Sequence, residues 1–453
     1  MALALSQARV GTPPRGRTAE RRAAPARVRL GPVKYAVIIP DGAADLPIDE
    51  LGGKTPFEAA ETPNIDALAL RGKVGTVATT PEGFDAGSDV CSMCLFGYDP
   101  ERFHTGRAPL EAAAIGLDMG PGDWVFRVNL VTVGEGDDEG VMVDHSAGGL
   151  SDSEGRELLD SLAEFWAERA PELMDQMQVV HGKSYRGSIA DRSGRSFRAL
   201  ATTPPHEMPG EEWRRELPDG ENAAGILKLI ELSSEHLGVH PINRARKEAG
   251  KRPANMAWIW GQGTRPQMPS FKSLYNLRGA MTTPVDLLAG IARLMGWDLL
   301  DVPGVTSYHD NDYKAQGAAT CKALDRYDIV CCHIEAPDEA SHQGDYATKV
   351  ASIEAIDRHI VGPVMEKLES FGDPERDPEA EGWRVLIMPD HYTLVSTRRH
   401  DPTPVPFAVA GSWVRTVVNR RLTEREAEES DLHVDPGHEL MEFFLRGGLA
   451  GVR

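Results

Sequence analysis

Three short apolar runs limit what this chain can fold into. Tyr35 to Ile39 stops at Pro40-Asp41-Gly42, Ile329 to Ile334 stops at Glu335-Ala-Pro-Asp338, and Val385 to Met388 stops at Pro389-Asp390-His391. Compact apolar runs bounded by turn residues fit strands buried on both faces of a sheet. In open α/β sheets, chemistry gathers beyond the carboxyl ends of the strands. Three strands that bring carboxylates and an imidazole to one sheet edge therefore predict a metal site there. Helical patterns lie between the strands. Thr62-Pro63 reads as an N-cap with proline at the first helical position, opening a helix to Arg71. Ser151 and Glu154 form a capping-box pattern, and Thr283 to Met295 and Asp345 to Leu368 read as amphipathic helices. Strands alternating with helices predict the α/β class, a mainly parallel sheet flanked by helices.

The middle of the chain follows another plan. From Trp124 to about Met281 come mixed strands (Val125 to Val133, Phe197 to Thr202), charged loops and few acid-ended strands. This reads as an inserted α+β cap domain over 123–281. It would divide the metal-bearing domain into 34–122 and 282–453. Gly134 to Gly140 and Gly372 to Glu381 are acidic loops with no assigned role. Residues 1–33 hold seven Arg against one Glu, Glu20, and few bulky apolar residues. They read as a disordered extension, with an organelle transit peptide as the alternative; MALAL is too short for a secretory apolar core.

The chain's 453 residues are enough for two full cores. No apolar run is long enough to span a membrane. A formal net charge of -20 repels nucleic acid and anionic lipid. A small anionic substrate would therefore need local cations or metals. Five cysteines, two of them adjacent in an apolar run, make no disulfide framework, and a reducing cytoplasm is expected.

The candidate ligands form one set: Asp41, Ser88, Asp338, His342, Asp390, His391 and His400. Asp338 and His342 are four residues apart, on one side of a helical turn. Asp390 and His391 sit together at a strand end, and Pro402, Pro404 and Pro406 stiffen the segment after His400. Taken singly, each of these is more often a cap or a surface group; the joint pattern is the signal. Mixed carboxylate and imidazole donors suit Mn²⁺ or Zn²⁺ better than Ca²⁺, and the set is large enough for two ions. Ser88, between Gly87 and the helix-like run from Val90, reads either as a metal-activated nucleophile or as a simple N-cap. Gly52-Gly53-Lys54-Thr55 lacks the first glycine of a phosphate loop, since position 48 is Ile48. Cys91 and Cys94 lack a second pair, so they read as packing thiols. Without a Gly-x-Ser-x-Gly elbow at Ser88, an α/β-hydrolase esterase is not expected.

At this point the residues resemble a known family. Leu51-Gly-Gly-Lys-Thr-Pro-Phe57, Thr62-Pro-Asn-Ile-Asp66, Gly87-Ser-Asp-Val90, Gly97-Tyr-Asp-Pro100 and Thr105-Gly-Arg-Ala-Pro-Leu-Glu-Ala112 are similar to motifs of archaeal-type cofactor-independent phosphoglycerate mutases, in the alkaline phosphatase superfamily. Glu335-Ala-Pro-Asp338, His342, Pro389-Asp-His391 and Val405-Pro-Phe407 extend the match over nearly all of the chain after Lys34.

The resemblance implies an alkaline-phosphatase-like fold and interconversion of 3-phosphoglycerate and 2-phosphoglycerate through a phosphoserine at Ser88. It implies two divalent metals, Mn²⁺ before Zn²⁺ or Mg²⁺, and no bisphosphoglycerate cofactor. One metal would take Asp338, His342 and His400; the other would take Asp41, Ser88, Asp390 and His391. It also implies a cap that closes over the glycerate, with Arg107, Arg127, Arg186 and Lys314 as substrate cations. Two features depart from the pattern. The run after Ser-Asp-Val is Cys91-Ser92-Met93, where many relatives carry a histidine. Trp258-Ile-Trp-Gly261 and Met268-Pro-Ser-Phe271 resemble a bacterial subgroup that includes proposed homoserine kinases. A homoserine kinase-like transferase and a metal-dependent phosphatase are therefore the alternative activities.

Overall fold

The apolar runs become the centre of an eight-stranded sheet. The computed structural model describes residues 33–136, 139–416 and 418–448, so the expected extension falls almost entirely outside the described residues. In order across the sheet, the strands are Asp298–Leu299, Gly279–Thr282, Ile329–Ile334, Lys34–Pro40, Trp383–Ile387, Val405–Gly411, Lys73–Val77 and His433–Val434. Only Val405–Gly411 runs against the others, so the sheet is mainly parallel as expected. Ala36, Ile38, Val330, Cys332, Val385 and Ile387 face one helical layer, where Ile65, Leu68, Ile353, Val364 and Leu368 complete a core. Their neighbours Val37, Ile39, Cys331 and Leu386 are also buried, which is why the runs are apolar throughout rather than alternating. All five cysteines are free, and Cys91 and Cys94 pack within the helix Ser88–Leu95.

Several helix boundaries differ from expectation. The helix Pro63–Leu70 is capped from outside. The Asp357 carboxylate accepts the N–H groups of Ile65 at 2.7 Å and Asn64 at 3.3 Å, while the Thr62 side chain makes no cap bond. The long pattern from Asp345 is Tyr346–Ile356, one wider π turn over Asp357–Val361, and Gly362–Glu369. That π turn carries the capping Asp357. The helix expected from Thr283 starts at Asp286, because Thr282 still belongs to a strand and Pro284 disfavours helix before it. The Ser151–Glu154 capping box is present in full. Thr55 likewise caps Pro56–Ala59 with Glu58, so the Gly52-Gly53 segment is a turn leading into a helix.

A second sheet, wholly antiparallel, is formed by Trp124–Val133, Met142–Asp144, Met177–His181, Arg186–Asp191 and Met256–Thr264. Its own core joins Phe126, Val128 and Trp258 to Leu158, Leu162, Trp166 and Leu229 from the helices Asp152–Arg169 and Ala223–Leu237. The strand expected over Phe197 to Thr202 is only the pair Leu200–Ala201. Phe197 instead packs its ring edge-on to Trp124 and Phe126, and Pro204 and Pro205 cannot extend a ladder. Among the described residues, no helix is long and apolar enough to cross a membrane.

Candidate active site and metal centre

Sheet register places the acids. Pro40 pairs with Ile334 and Ile38 with Ile387, so the chain leaves all three central strands at the same edge of the sheet. Asp41 follows at once, its N–H donating to the Ile334 carbonyl at 2.9 Å. Gly42 has a φ of +58°, and a Cβ there would lie 2.5 Å from both Asp338 Oδ1 and Thr393 Oγ1. Glycine is therefore required for Asp338 to approach. Asp338 and His342 share one side of the helix Ala336–Gln343. Asp390 Oδ1 accepts the N–H groups of His391 at 3.0 Å and Gly42 at 3.3 Å. A hairpin of Tyr392–Leu394 and Arg399–Asp401 pairs Thr393 with His400 and so returns His400 to the same edge.

The donors form two overlapping groups, Asp41–Asp390–His391 and Asp338–His391–His400, with the ligand atoms of each within 4.8 Å of one another. His342 Nε2 lies 3.2 Å from Asp338 Oδ2 and 3.0 Å from His400 Nε2. Ser88 Oγ is 3.1 Å from His391 Nε2. Gly87, not Ser88, occupies the N-cap position, which removes the reading of Ser88 as a mere cap.

Charge accounting shows that this donor set fits divalent cations. Asp41 Oδ1, Asp390 Oδ2 and Glu335 Oε2 are buried without a hydrogen-bond partner, a costly state unless a cation is bound. Burial, reinforced by the Asp390, Glu335 and Asp338 carboxylates, pushes Asp41 well above the usual carboxylate range. Burial and then Asp338 do the same to Glu335. Burial also pushes Asp338 upward, but hydrogen bonds from His342 and His400 outweigh it and hold the carboxyl well below that range. The Asp338 bond in turn raises His342 to about 9.

Two members of this cluster were not among the sequence candidates. His333 Nε2 is 2.7 Å from Asp41 Oδ2, and its Nδ1 is 2.8 Å from Thr283 Oγ1. Burial pushes His333 down to about 4, so it is neutral and orients Asp41. With Glu335 and Asp41 it makes a third donor group. The overlooked signal was a lone histidine inside an otherwise apolar strand, two residues before an acid.

A cavity of about 790 Å³ opens beside this edge. It is lined by Gly87, Asp89, Arg107, His342, Arg398 and His400 and, from the other sheet region, by His206 and Trp260. Asp89 Oδ2 is 2.8 Å from His104 Nε2 and 3.9 Å from Arg107. Arg127 lies behind the wall, 2.8 Å from Glu111 and stacked on Trp260 at 4.0 Å. Arg186 is exposed over the Tyr185 ring at 4.8 Å. Burial, then Arg127, Arg107 and Arg186, pushes His206 down to about 4, so these three cations act on one wall. Lys314 is not brought there. It is exposed on the first turn of Tyr313–Leu324 and acts on His359. Arg398 and Arg399 line the cavity instead and had not been singled out; two arginines directly before His400 were the signal.

The sheet is mainly parallel, with carboxylates and imidazoles gathered at its carboxyl edge: an α/β fold that carries a candidate metal centre. The profile of the 2,3-bisphosphoglycerate-independent phosphoglycerate mutase family matches residues 69–243. A protein of that name from Methanothrix thermoacetophila is 40% identical over 92% of this chain and all of its own length. One named as a probable member, from Geobacter sulfurreducens, is 40% identical over 91% of this chain and all of its own. A solved structure from Pyrococcus horikoshii, 29% identical, superposes with a TM-score of 0.74 over 92% of this chain and 97% of that one. The cofactor-independent phosphoglycerate mutase of Thermoplasma acidophilum, at 23% identity and a TM-score of 0.61, shares the fold over 92% of this chain and all of its own. The chain belongs to the 2,3-bisphosphoglycerate-independent phosphoglycerate mutase family.

Proposed function

We propose that this chain interconverts 3-phosphoglycerate and 2-phosphoglycerate in the cytoplasm, using two divalent cations, Mn²⁺ first among them, and no bisphosphoglycerate. The observation that carries the reading is the set of unpaired, buried carboxylate oxygens on Asp41 and Asp390 around His391 Nε2, which also contacts the Ser88 hydroxyl. Asp338, His342 and His400 would hold one cation, and Asp41, Ser88, Asp390 and His391 the other. Bound cations supply charge neutralisation for the transferring phosphoryl group and lower the pKa of the serine hydroxyl.

The chain's own residues do the rest. Ser88 Oγ bonds to phosphorus as the bond to the C3 oxygen of glycerate breaks, and the proton lost by the serine is matched by one gained at that oxygen. Glycerate reorients, and its C2 oxygen then bonds to phosphorus as the bond to Ser88 Oγ breaks, the proton lost by the C2 hydroxyl being matched by one regained at Ser88 Oγ. Arg107, Arg127 and Arg186 supply local positive charge, Arg127 acting from behind Trp260, against a net charge of -20. Residues 123–281 act as a cap that keeps water from the phosphoserine, so the group returns to glycerate.

The test is incubation of Mn²⁺-loaded protein with 3-phosphoglycerate, and separately with homoserine and ATP. The reading predicts 2-phosphoglycerate in the first mixture without ATP. Release of inorganic phosphate alone would make the protein a hydrolase, and ATP-dependent phosphohomoserine alone would make it a kinase.

A further inference from the structure

Thr393 sits where the two donor groups meet. Its hydroxyl donates to Asp338 Oδ1 at 2.6 Å and lies 3.1 Å from His391 Nδ1. A hydroxyl has one proton and two lone pairs. With the proton given to Asp338, the contact with His391 requires that Nδ1–H be the donor. His391 Nε2 is then left with its lone pair, and it faces Ser88 Oγ at 3.1 Å, Asp390 Oδ2 at 3.4 Å and Asp41 Oδ1 at 3.5 Å.

The backbone of Thr393 is fixed on both sides. Its N–H donates to the Ala44 carbonyl at 3.2 Å, and its carbonyl accepts from Lys349 Nζ at 2.7 Å. Lys349 is fully buried and also pairs with Asp45 at 2.9 Å. Asp45 Oδ2 accepts the Val395 N–H at 2.9 Å, so the loop after Asp41 and the strand carrying Thr393 are tied together.

We propose that Thr393 is a positioning residue. Its hydroxyl holds His391 in the tautomer with Nε2 free for a cation, and it joins the donor group of Asp338 to that of Asp41 and Asp390. A partner for the second nitrogen of a ligating histidine fixes the ring and typically contributes ten- to a hundredfold in metal affinity. The inference rests on the two-cation reading of the site, and the experiment separates the two.

Mn²⁺ is titrated by calorimetry into the metal-free protein and into Thr393→Val and Thr393→Ser, with folding checked by circular dichroism. Thr393→Val keeps the shape but loses the hydroxyl and should bind about ten- to a hundredfold more weakly. Thr393→Ser restores the hydroxyl and should stay within about threefold of the unaltered protein. In the unaltered metal-free protein, ¹⁵N NMR should show the proton of His391 on Nδ1, a result that does not depend on whether the valine variant folds. Undiminished Mn²⁺ binding by Thr393→Val, or a proton on Nε2, overturns the inference while the two-cation reading stands. An unaltered protein that binds no Mn²⁺ overturns both.

Discussion

In the antiparallel sheet region, buried acids come with partners. Asp144 accepts from Ser146, Gly148 and Arg252 and Asp191 from Arg195, while the half-buried Glu154 accepts from Arg246 and the Ser151 N–H. At the carboxyl edge of the parallel sheet, Asp41 and Asp390 are at least as deeply buried, yet each keeps an oxygen with no partner. The first arrangement stabilises the fold. The second costs stability in the free protein and leaves donor atoms open to a ligand. The contrast separates acids kept for structure from acids kept for chemistry, without reference to the distance between them.

The largest effect is expected at the hydroxyl that contacts His391 Nε2, the atom the open carboxylates also face. Ser88→Ala should lower phosphoglycerate turnover by roughly a thousandfold or more while circular dichroism stays native. Near-normal turnover would remove Ser88 from the chemistry. On the paired side, Arg246→Ala strips partners from Glu154, the Ala147 carbonyl and the Arg252 carbonyl. Denaturant unfolding should report a loss of about 2–4 kcal/mol. An unchanged midpoint would show that the pairing does not stabilise this region.

Arg186→Ala tests the cation nearest the solvent. Turnover should fall about ten- to a hundredfold, with a larger share of free phosphate, because a charge-assisted contact contributes about 1.5–3 kcal/mol. An unchanged rate and product ratio would take Arg186 out of substrate binding.

Asp41→Asn should have the opposite sign from Arg246→Ala on stability. It removes a carboxylate that its neighbours destabilise, so the metal-free protein should gain about 1–2 kcal/mol while losing Mn²⁺ binding. A loss of metal-free stability would mean that the open carboxylate is structural after all.

The smallest expected effect is in the pH dependence. Burial pushes Asp144 up, but bonds from Ser146, Arg252 and Gly148 prevail and hold it at about 2. Its stabilisation is therefore complete above the unfolded value of about 3.9 and is lost as the pH falls from there through about 2. Asp144→Asn should flatten that acid limb in thermal melts, and an identical limb would exclude Asp144 as its source.

How much of this was legible in the sequence depended on the kind of signal. Asp41, Asp338 and Asp390 could be read because each ends an apolar run, and the period and boundary of such runs are local properties. His333 left only the signal of a lone histidine in an apolar strand; its partner comes from register, since pairing with Lys34–Pro40 brings it against Asp41. Thr393 was hidden for a similar reason, since its partners Asp338 and His391 meet only when a hairpin folds back over the sheet edge. Lys314, taken from the family resemblance as a substrate cation, lies exposed on the helix Tyr313–Leu324 and is not among the residues lining the cavity. Pro63–Leu70 looked self-capped, but its cap comes from Asp357, which is distant in sequence.

If Ser88 carries the phosphoryl group between the two glycerate oxygens, a phosphoserine forms there during turnover. The most direct test is to react the Mn²⁺-loaded protein with 3-phosphoglycerate labelled in its phosphoryl group, quench during turnover, and map the label by proteolysis and mass spectrometry. The account predicts label on the peptide containing Ser88 and none in Ser88→Ala. Turnover to 2-phosphoglycerate with no label on the protein, or with label on another residue, would contradict it.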